Sequence, residues 1–194
     1  MVFSERTYSV LVVSSASKFN DALGQMLPAA DCYPIFFAGN VAAARREMLD
    51  RAFDFVIINA PLPDDDGTRF AIDAVSRPGT VVLLLVHGEL YEQVNAQVIP
   101  QGIFTLQKPI STQLLQQGLK WLASARERLR SLEKKATTIE EKMEEIRLVN
   151  RAKWILIEQL KMTESDAHRH IEKQAMDRCT SKKDIALSII RTYT

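Results

Sequence analysis

Residues 147–190 read RLVNRAKWILIEQLKMTESDAHRHIEKQAMDRCTSKKDIALSII. Apolar side chains recur here at intervals of three and four residues, which is the spacing of one face of an amphipathic helix. Alanines such as Ala167 and Ala175 stand where a core helix usually carries a larger side chain. Because small side chains let helix axes approach closely, the pattern predicts three short, tightly packed helices. The predicted contact face of the first helix comprises Leu148, Ala152, Ile155 and Gln159.

Helix-start signals separate these three predicted helices. Thr163 precedes Asp166 by three residues, and Ser181 precedes Asp184 by the same interval. In such a pair the hydroxyl can accept a hydrogen bond from a free N–H of the first turn, and the acid favours the positive end of the helix dipole. Two signals of this kind predict a three-helix unit over residues 147–194.

This unit also carries a distinctive set of residues, namely Arg151, Ala152, Lys153, Leu156, Glu164, Ala167, Ile171, Ala175, Met176, Ala186, Ile189 and Ile190. They resemble the ANTAR family of RNA-binding transcription antitermination regulators, and the resemblance covers nearly all of the unit. It implies that the unit binds stem-loops in nascent leader transcripts and stabilises an antiterminator, so that polymerase reads on.

The distribution of charge agrees with a nucleic-acid partner at this end of the chain. Residues 1–121 carry a net charge of −3, residues 122–146 are neutral, and residues 147–194 carry +4. Basic residues attract a phosphate backbone, and a helix N-terminus can present N–H groups to it. An ordinary solvated face is the alternative for any one of these residues. The predicted RNA-binding residues are Lys153, Arg169, Lys173, Arg178, Ser181, Lys182 and Lys183.

Residues 122–146 continue a helical pattern that begins at Ser111, and they carry an apolar heptad repeat. Four uninterrupted repeats predict a coiled-coil dimerisation helix. One long helix packed on its own domain is the alternative. The predicted dimerisation residues are Leu122, Leu129, Leu132, Ile139, Met143 and Ile146.

The charged flanks of this repeat favour a parallel homodimer. In that register Arg128 faces Glu133 of the partner subunit. Lys135 likewise faces an acid, whereas Lys142 meets Arg147 of the partner subunit, a second cation. Exposed ion pairs contribute little energy, so these pairs predict orientation and register more than strength.

Residues 1–121 alternate short β-branched runs with helical segments five times. Runs such as residues 9–13, 53–58 and 81–86 are largely β-branched and apolar, as in strands buried on both faces of a parallel sheet. A repeated βα order favours helices on both sides of that sheet. The predicted fold is therefore α/β, a doubly wound five-stranded parallel sheet of flavodoxin-like layout, followed by the coiled-coil helix and the three-helix unit.

The segment from Asp54 to Gly67, together with Lys108-Pro109, resembles a response-regulator receiver domain. In that family an aspartate at the end of the third strand accepts a phosphoryl group, with a magnesium ion held by an acidic pair after the first strand. Asn59 stands at the acceptor position here, and an amide cannot form an acyl phosphate. The residues matching the family's pocket are Ser14, Ser15, Asn59, Val86 and Lys108, of which only Lys108 keeps the family's residue type.

The sequence thus predicts a pseudo-receiver that is not phosphorylated and is controlled by a partner protein, a ligand or oligomerisation. The acids Asp64, Asp65 and Asp66 are more typical of a solvated turn than of a metal site. No metal, cofactor or enzymatic activity is predicted, and Cys32 and Cys179 are expected to be reduced thiols. The longest apolar run is far too short to cross a bilayer, so a cytoplasmic protein is expected.

Two other functions are compatible with the same residues. The C-terminal helices could act as a helix-turn-helix in a DNA-binding regulator of response-regulator type. Alternatively, the chain could be a dimeric protein-interaction module, which would show no salt-dependent affinity for nucleic acid.

Overall fold

The computed structural model describes residues 7–193, and the chain divides after Ser131 into two compact units. The sequence patterns predict boundaries at residues 121 and 146 instead. That division into three segments, residues 1–121, 122–146 and 147–194, stays a prediction.

The first unit alternates strands and helices. Its strands are β1 (Tyr8–Val13), β2 (Cys32–Ala38), β3 (Phe55–Asn59), β4 (Val81–His87) and β5 (Phe104–Lys108). The helices between them are α1 (Ser17–Met26), α2 (Val41–Asp50), α3 (Thr68–Val75) and α4 (Gly88–Val98), and a 3₁₀ turn (Ile99–Gln101) follows the last. The helix α5 (Thr112–Leu160) then begins.

All five strands are parallel, in the order β2-β1-β3-β4-β5. The central strands are buried on both faces, so each face of the sheet has its own apolar core under a layer of helices. This arrangement confirms the predicted doubly wound α/β fold. It also brings the carboxyl ends of β1, β3 and β5 to one edge of the sheet.

The first turns of α5 pack closely on the sheet. A Cβ placed on Gly118 would lie 3.0 Å from Leu106 Cδ1, so this position has no room for a side chain unless its neighbour shifts. Leu115 and Leu122 are buried in the same apolar core. Leu122 is therefore not available for a dimer seam, which corrects its assignment as a dimerisation residue. A heptad and a sheet-facing helix stripe have nearly the same spacing, so the pattern does not distinguish them at this position.

The second unit joins the last turns of α5 to α6 (Glu164–Asp177) and α7 (Lys182–Tyr193). Its core contains three alanines that the close-packing pattern predicted, Ala152, Ala167 and Ala175, and a fourth, Ala186. The remaining buried core residues are Val149, Leu156, Ile171, Ile185 and Ile189.

Two details of this unit differ from the sequence-based expectation. The first predicted helix is not a separate helix but the end of α5, since residues 112–160 run without a helix break. Of the predicted contact face, Ala152 is buried in the core and Leu148 and Ile155 pack against it, whereas Gln159 is exposed. Val149 and Leu156, which the predicted stripe left out, are buried more deeply than Leu148 and Ile155.

Both predicted helix starts are present. Asp166 donates its backbone N–H to Thr163 Oγ1 at 3.2 Å, ahead of α6. The backbone N–H of Asp184 reaches Ser181 Oγ at 3.1 Å, at the start of α7. These hydroxyls satisfy donors that would otherwise lack a partner in the first turn.

Candidate nucleic-acid interface and degenerate receiver pocket

The pocket at the carboxyl edge of the sheet is closed by hydrogen bonds among neutral groups and one lysine. Asn59 Nδ2 donates to Ser14 Oγ at 3.0 Å. Lys108 Nζ donates to Asn59 Oδ1 at 3.0 Å and also to the carbonyl oxygen of Ala60. Asn59 thus connects the end of β1 to the end of β5 through its amide.

The other two predicted pocket residues lie at the same edge but outside this chain of hydrogen bonds. Val86 is buried near the end of β4 and provides no polar atom, whereas Ser15 is exposed. Burial lowers the pKa of Lys108, because the charged ammonium loses part of its hydration. The pocket therefore holds one cation whose acceptors are an amide and a backbone carbonyl.

The three acids after β3 serve the backbone of neighbouring turns. Asp64 accepts hydrogen bonds from the N–H groups of Val41 and Ala42 at 2.9 and 3.0 Å, and these bonds lower the pKa of its carboxyl. Asp65 accepts from Gly67 N, and Asp66 accepts from Thr68 N. Within residues 7–193, no cluster of His, Cys, Asp and Glu is arranged to hold a metal ion.

An ion-pair cluster at the opposite edge of the sheet was not anticipated from the sequence. Asp54, just before β3, accepts from Arg126 Nε at 2.6 Å and from Arg130 at 3.3 Å. The backbone N–H of Ser9 donates to the same carboxylate at 3.0 Å. Both arginines lie more than 70 residues beyond Asp54 in the sequence, so no local signal indicated the ion pairs.

A groove near this cluster lies between α1 and α5 within the first unit. Its volume is about 740 Å³, and Leu27, Cys32 and Phe55 form a buried apolar floor. Burial raises the pKa of the Cys32 thiol to about 11, so that thiol is neutral at physiological pH. The rim of the groove is polar and includes Asp31 and Lys120.

Three of the predicted RNA-binding lysines in the second unit are engaged in ion pairs. Lys153 contacts Glu164 at 3.0 Å, Lys182 contacts Glu172 at 2.5 Å, and Lys183 contacts Glu144 at 2.7 Å. Lys153 and Lys182 also line one small pocket together with His168. To contact a phosphate, each of these lysines would have to bind it alongside its glutamate partner or release that partner.

The remaining predicted residues differ in their availability. Arg169, Lys173 and Arg178 are exposed, and within the described residues they form no ion pair. Arg169 and Lys173 lie one helical turn apart on α6, on the side away from the buried Ala167 and Ile171. Ser181 is exposed, but its hydroxyl is already used as the helix cap of α7.

Most predicted seam residues on α5 are exposed in the single chain. Ile139 is 57% exposed and Ile146 is 60% exposed, with Met143 between them at 50%. Leu129 and Leu132 are also exposed, at the boundary of the two units. In the isolated chain, these apolar side chains therefore form an exposed apolar surface along one helix, which is typical of a contact site.

Both units of the chain are similar to known proteins. The model of the ANTAR domain matches residues 137–190. The transcriptional regulatory protein PdtaR of Mycobacterium tuberculosis is 30% identical over 139 residues, which cover 72% of this chain and 68% of that protein. Within residues 7–193, no helix is both long enough and apolar enough to cross a membrane.

Solved receiver domains resemble the N-terminal fold. The signal receiver domain of an HD domain-containing protein from Pseudomonas fluorescens Pf-5 is 27% identical with a TM-score of 0.57, covering 68% of this chain and 96% of that structure. A CheY-like receiver domain protein from Methanospirillum hungatei JF-1 is 19% identical with a TM-score of 0.56, covering 63% and 98%, and this likeness concerns the fold alone. The receiver-like sheet, the C-terminal ANTAR match and the similarity to PdtaR place this chain in the ANTAR family of response regulators, which are transcription regulators of the antitermination type.

Proposed function

We propose that this protein is an RNA-binding transcription antiterminator that binds stem-loops in nascent leader transcripts through its second unit. The observation that carries the proposal is the ANTAR match over residues 137–190, which coincides with a three-helix core bearing exposed, unpaired cations. Arg169, Lys173 and Arg178 are the first candidates for phosphate contacts. A small helical unit does not read the narrow major groove of A-form RNA, so loop bases are the expected target.

The proposed active form is a parallel homodimer. Its seam would be formed by Leu129, Leu132, Ile139, Met143 and Ile146, which are exposed in the single chain. Covering them removes apolar surface from water, at roughly 25 cal/mol per Å². Two RNA-binding units held by one seam would also raise the effective concentration for a second stem-loop.

Control of the protein is proposed to be independent of phosphorylation. Asn59 offers an amide where a phosphoryl acceptor needs a carboxylate, and its two hydrogen bonds to Ser14 and Lys108 occupy the pocket. A partner protein, a ligand or oligomerisation would then supply the signal. The groove between α1 and α5 is one place where an apolar ligand would contact α5 within the first unit.

A competition experiment tests the RNA-binding function. The full-length protein is mixed with a labelled pool of hairpin RNAs that share one stem and have a randomised loop. We expect binding that excess duplex DNA does not displace and that weakens with salt, since released counterions drive association. Replacing Arg169, Lys173 and Arg178 together with Gln should abolish most of this affinity.

The matched control replaces three exposed cations of the first unit, Lys18, Arg46 and Arg69, with Gln, which changes the net charge equally. Binding that duplex DNA displaces more readily than hairpin RNA would instead favour a DNA-binding regulator. Absence of salt-dependent affinity for either nucleic acid would favour a protein-interaction module.

A further inference from the structure

Three residues of α5 lie on the face of the second unit that is turned away from its core. Arg147, Arg151 and Trp154 follow the spacing i, i+4, i+7, so they form one stripe along the helix. The residues of this stretch that are buried in the core are Val149, Ala152 and Leu156. Trp154 is two residues from Ala152, which places it about 200° around the helix from that alanine.

The indole of Trp154 is unusually open to solvent. Its exposed fraction is 64%, although a tryptophan side chain buries about 150–250 Å² when it is covered. Arg147 and Arg151 are exposed beside it, and within residues 7–193 neither forms an ion pair. In the single chain, the aromatic face of Trp154 is therefore exposed to water, and the two guanidinium groups beside it have no carboxylate partner.

A second copy of this chain is a poor partner for the stripe. In the parallel register Lys142 of one chain faces Arg147 of the partner subunit, so dimerisation brings cations together at this level. Like charges in such positions oppose pairing, whereas an anion placed among them is attracted. The chemistry of the stripe favours a partner that combines flat rings with negative charge.

We propose that Trp154 is a stacking surface for an unpaired loop base of hairpin RNA, and that Arg147 and Arg151 contact the phosphates next to that base. This inference rests on the proposed RNA-binding function and names the residues that would hold the loop. The stripe spans about 10 Å along the helix axis, from Arg147 to Trp154. Base stacking on an aromatic ring tolerates different bases, so the contact would add affinity with little sequence selection.

Fluorescence of a single-tryptophan protein tests the stacking contact. The chain has two tryptophans, and the Trp121→Phe variant leaves Trp154 as the only one. The pool of hairpin RNAs with a randomised loop should quench its emission in a saturable way. The same stem closed as a continuous duplex, without a loop, should leave the emission nearly unchanged.

Affinity measurements separate the roles of the ring and the cations. Trp154→Ala should weaken hairpin binding about tenfold or more, whereas Trp154→Phe should keep most of the affinity because a ring remains. Arg147→Gln and Arg151→Gln should each reduce the slope of log K against log salt by about one. Since all three side chains are exposed, the variants should melt at the same temperature as the parent protein.

Each alternative result has a distinct meaning. If the Trp121→Phe protein binds hairpins without quenching and Trp154→Ala binds equally well, the stacking inference is wrong while the RNA-binding function stands. If the unaltered protein binds no hairpin, the proposed function itself fails. If Trp154→Ala weakens self-association in sedimentation equilibrium without RNA, the ring is a contact between copies and the inference is overturned.

Discussion

Arg126 donates from Nε to a carboxylate oxygen of Asp54 across 2.6 Å, and this pair joins α5 to the start of β3. Both side chains are largely buried, with 12% and 16% of their surface exposed. Arg130 reaches the same oxygen at 3.3 Å, and its guanidinium also lies over the ring of Tyr8. The contact holds α5 against the amino edge of the sheet, within the first unit.

Removing the carboxylate should destabilise the first unit. In Asp54→Asn the two arginines keep their charge but lose the negative charge that they share, and a buried pair broken on one side typically costs about 3–5 kcal/mol. Urea unfolding at neutral pH, followed by circular dichroism, would measure this loss.

The matched control is Asp73→Asn, which breaks an ion pair of the same length. Arg45 and Asp73 also lie 2.6 Å apart, but nearly half of each side chain is exposed. Exposed pairs contribute about 1 kcal/mol or less. Equal losses in the two variants would contradict the importance of burial at Asp54.

The stabilisation from Asp54 should depend on pH. Burial alone raises the pKa of this carboxyl, but hydrogen bonds from Arg126 and Ser9 outweigh it, and the net pKa lies below its ordinary value. The pKa of this carboxyl in the unfolded chain is about 3.9. Its contribution is therefore complete above that value and is lost as the pH falls through the lower pKa of the folded protein.

Comparison of the parent protein with Asp54→Asn across pH isolates this effect. The difference in unfolding free energy should be constant from neutral pH down to about 5, and it should shrink below about 4. A difference that grows on acidification would mean that the folded carboxyl has a raised pKa instead.

The receiver pocket should not accept phosphate from a small donor. Incubation with acetyl phosphate and Mg²⁺ should produce no phosphorylated species by intact-protein mass spectrometry, because Asn59 has no carboxylate. Asn59→Asp alone should not restore efficient transfer, since Ser14 and Ser15 replace the charged oxygen ligands that a hard cation prefers. An aspartyl phosphate on the unaltered protein would refute phosphate-independent control.

Self-association should depend on the apolar seam of α5. Ile139→Asp places a charge at a 57% exposed seam position and should shift sedimentation equilibrium strongly toward the monomer. Thr138→Asp adds the same charge at the adjacent exposed position, outside the seam, and should leave the dimer intact. Equal behaviour of the two variants would argue against this register.

Much of the architecture follows from local patterns. The apolar run at residues 81–86 marks a doubly buried strand, and Thr163 and Ser181 mark helix starts, because strand burial and helix capping depend on residues close in sequence. The alanines at 152, 167 and 175 similarly indicate close helix packing before any partner is known. The prediction that Asn59 stands at the phosphoacceptor position likewise uses only the order of the strands.

Contacts between distant segments could not be obtained from these patterns. The heptad spacing predicts Leu122 in a dimer seam, but in the structure this residue packs against the sheet. The spacing does not distinguish the two, because an apolar helix face can contact either a partner helix or a sheet. Pairing of Asp54 with Arg126, and of Lys153 with Glu164, depends on where separate elements meet, so charge alone overestimated how many lysines are free. Local periodicity thus establishes the elements and their order, while the packing of elements far apart in the chain determines which side chains remain available to a partner.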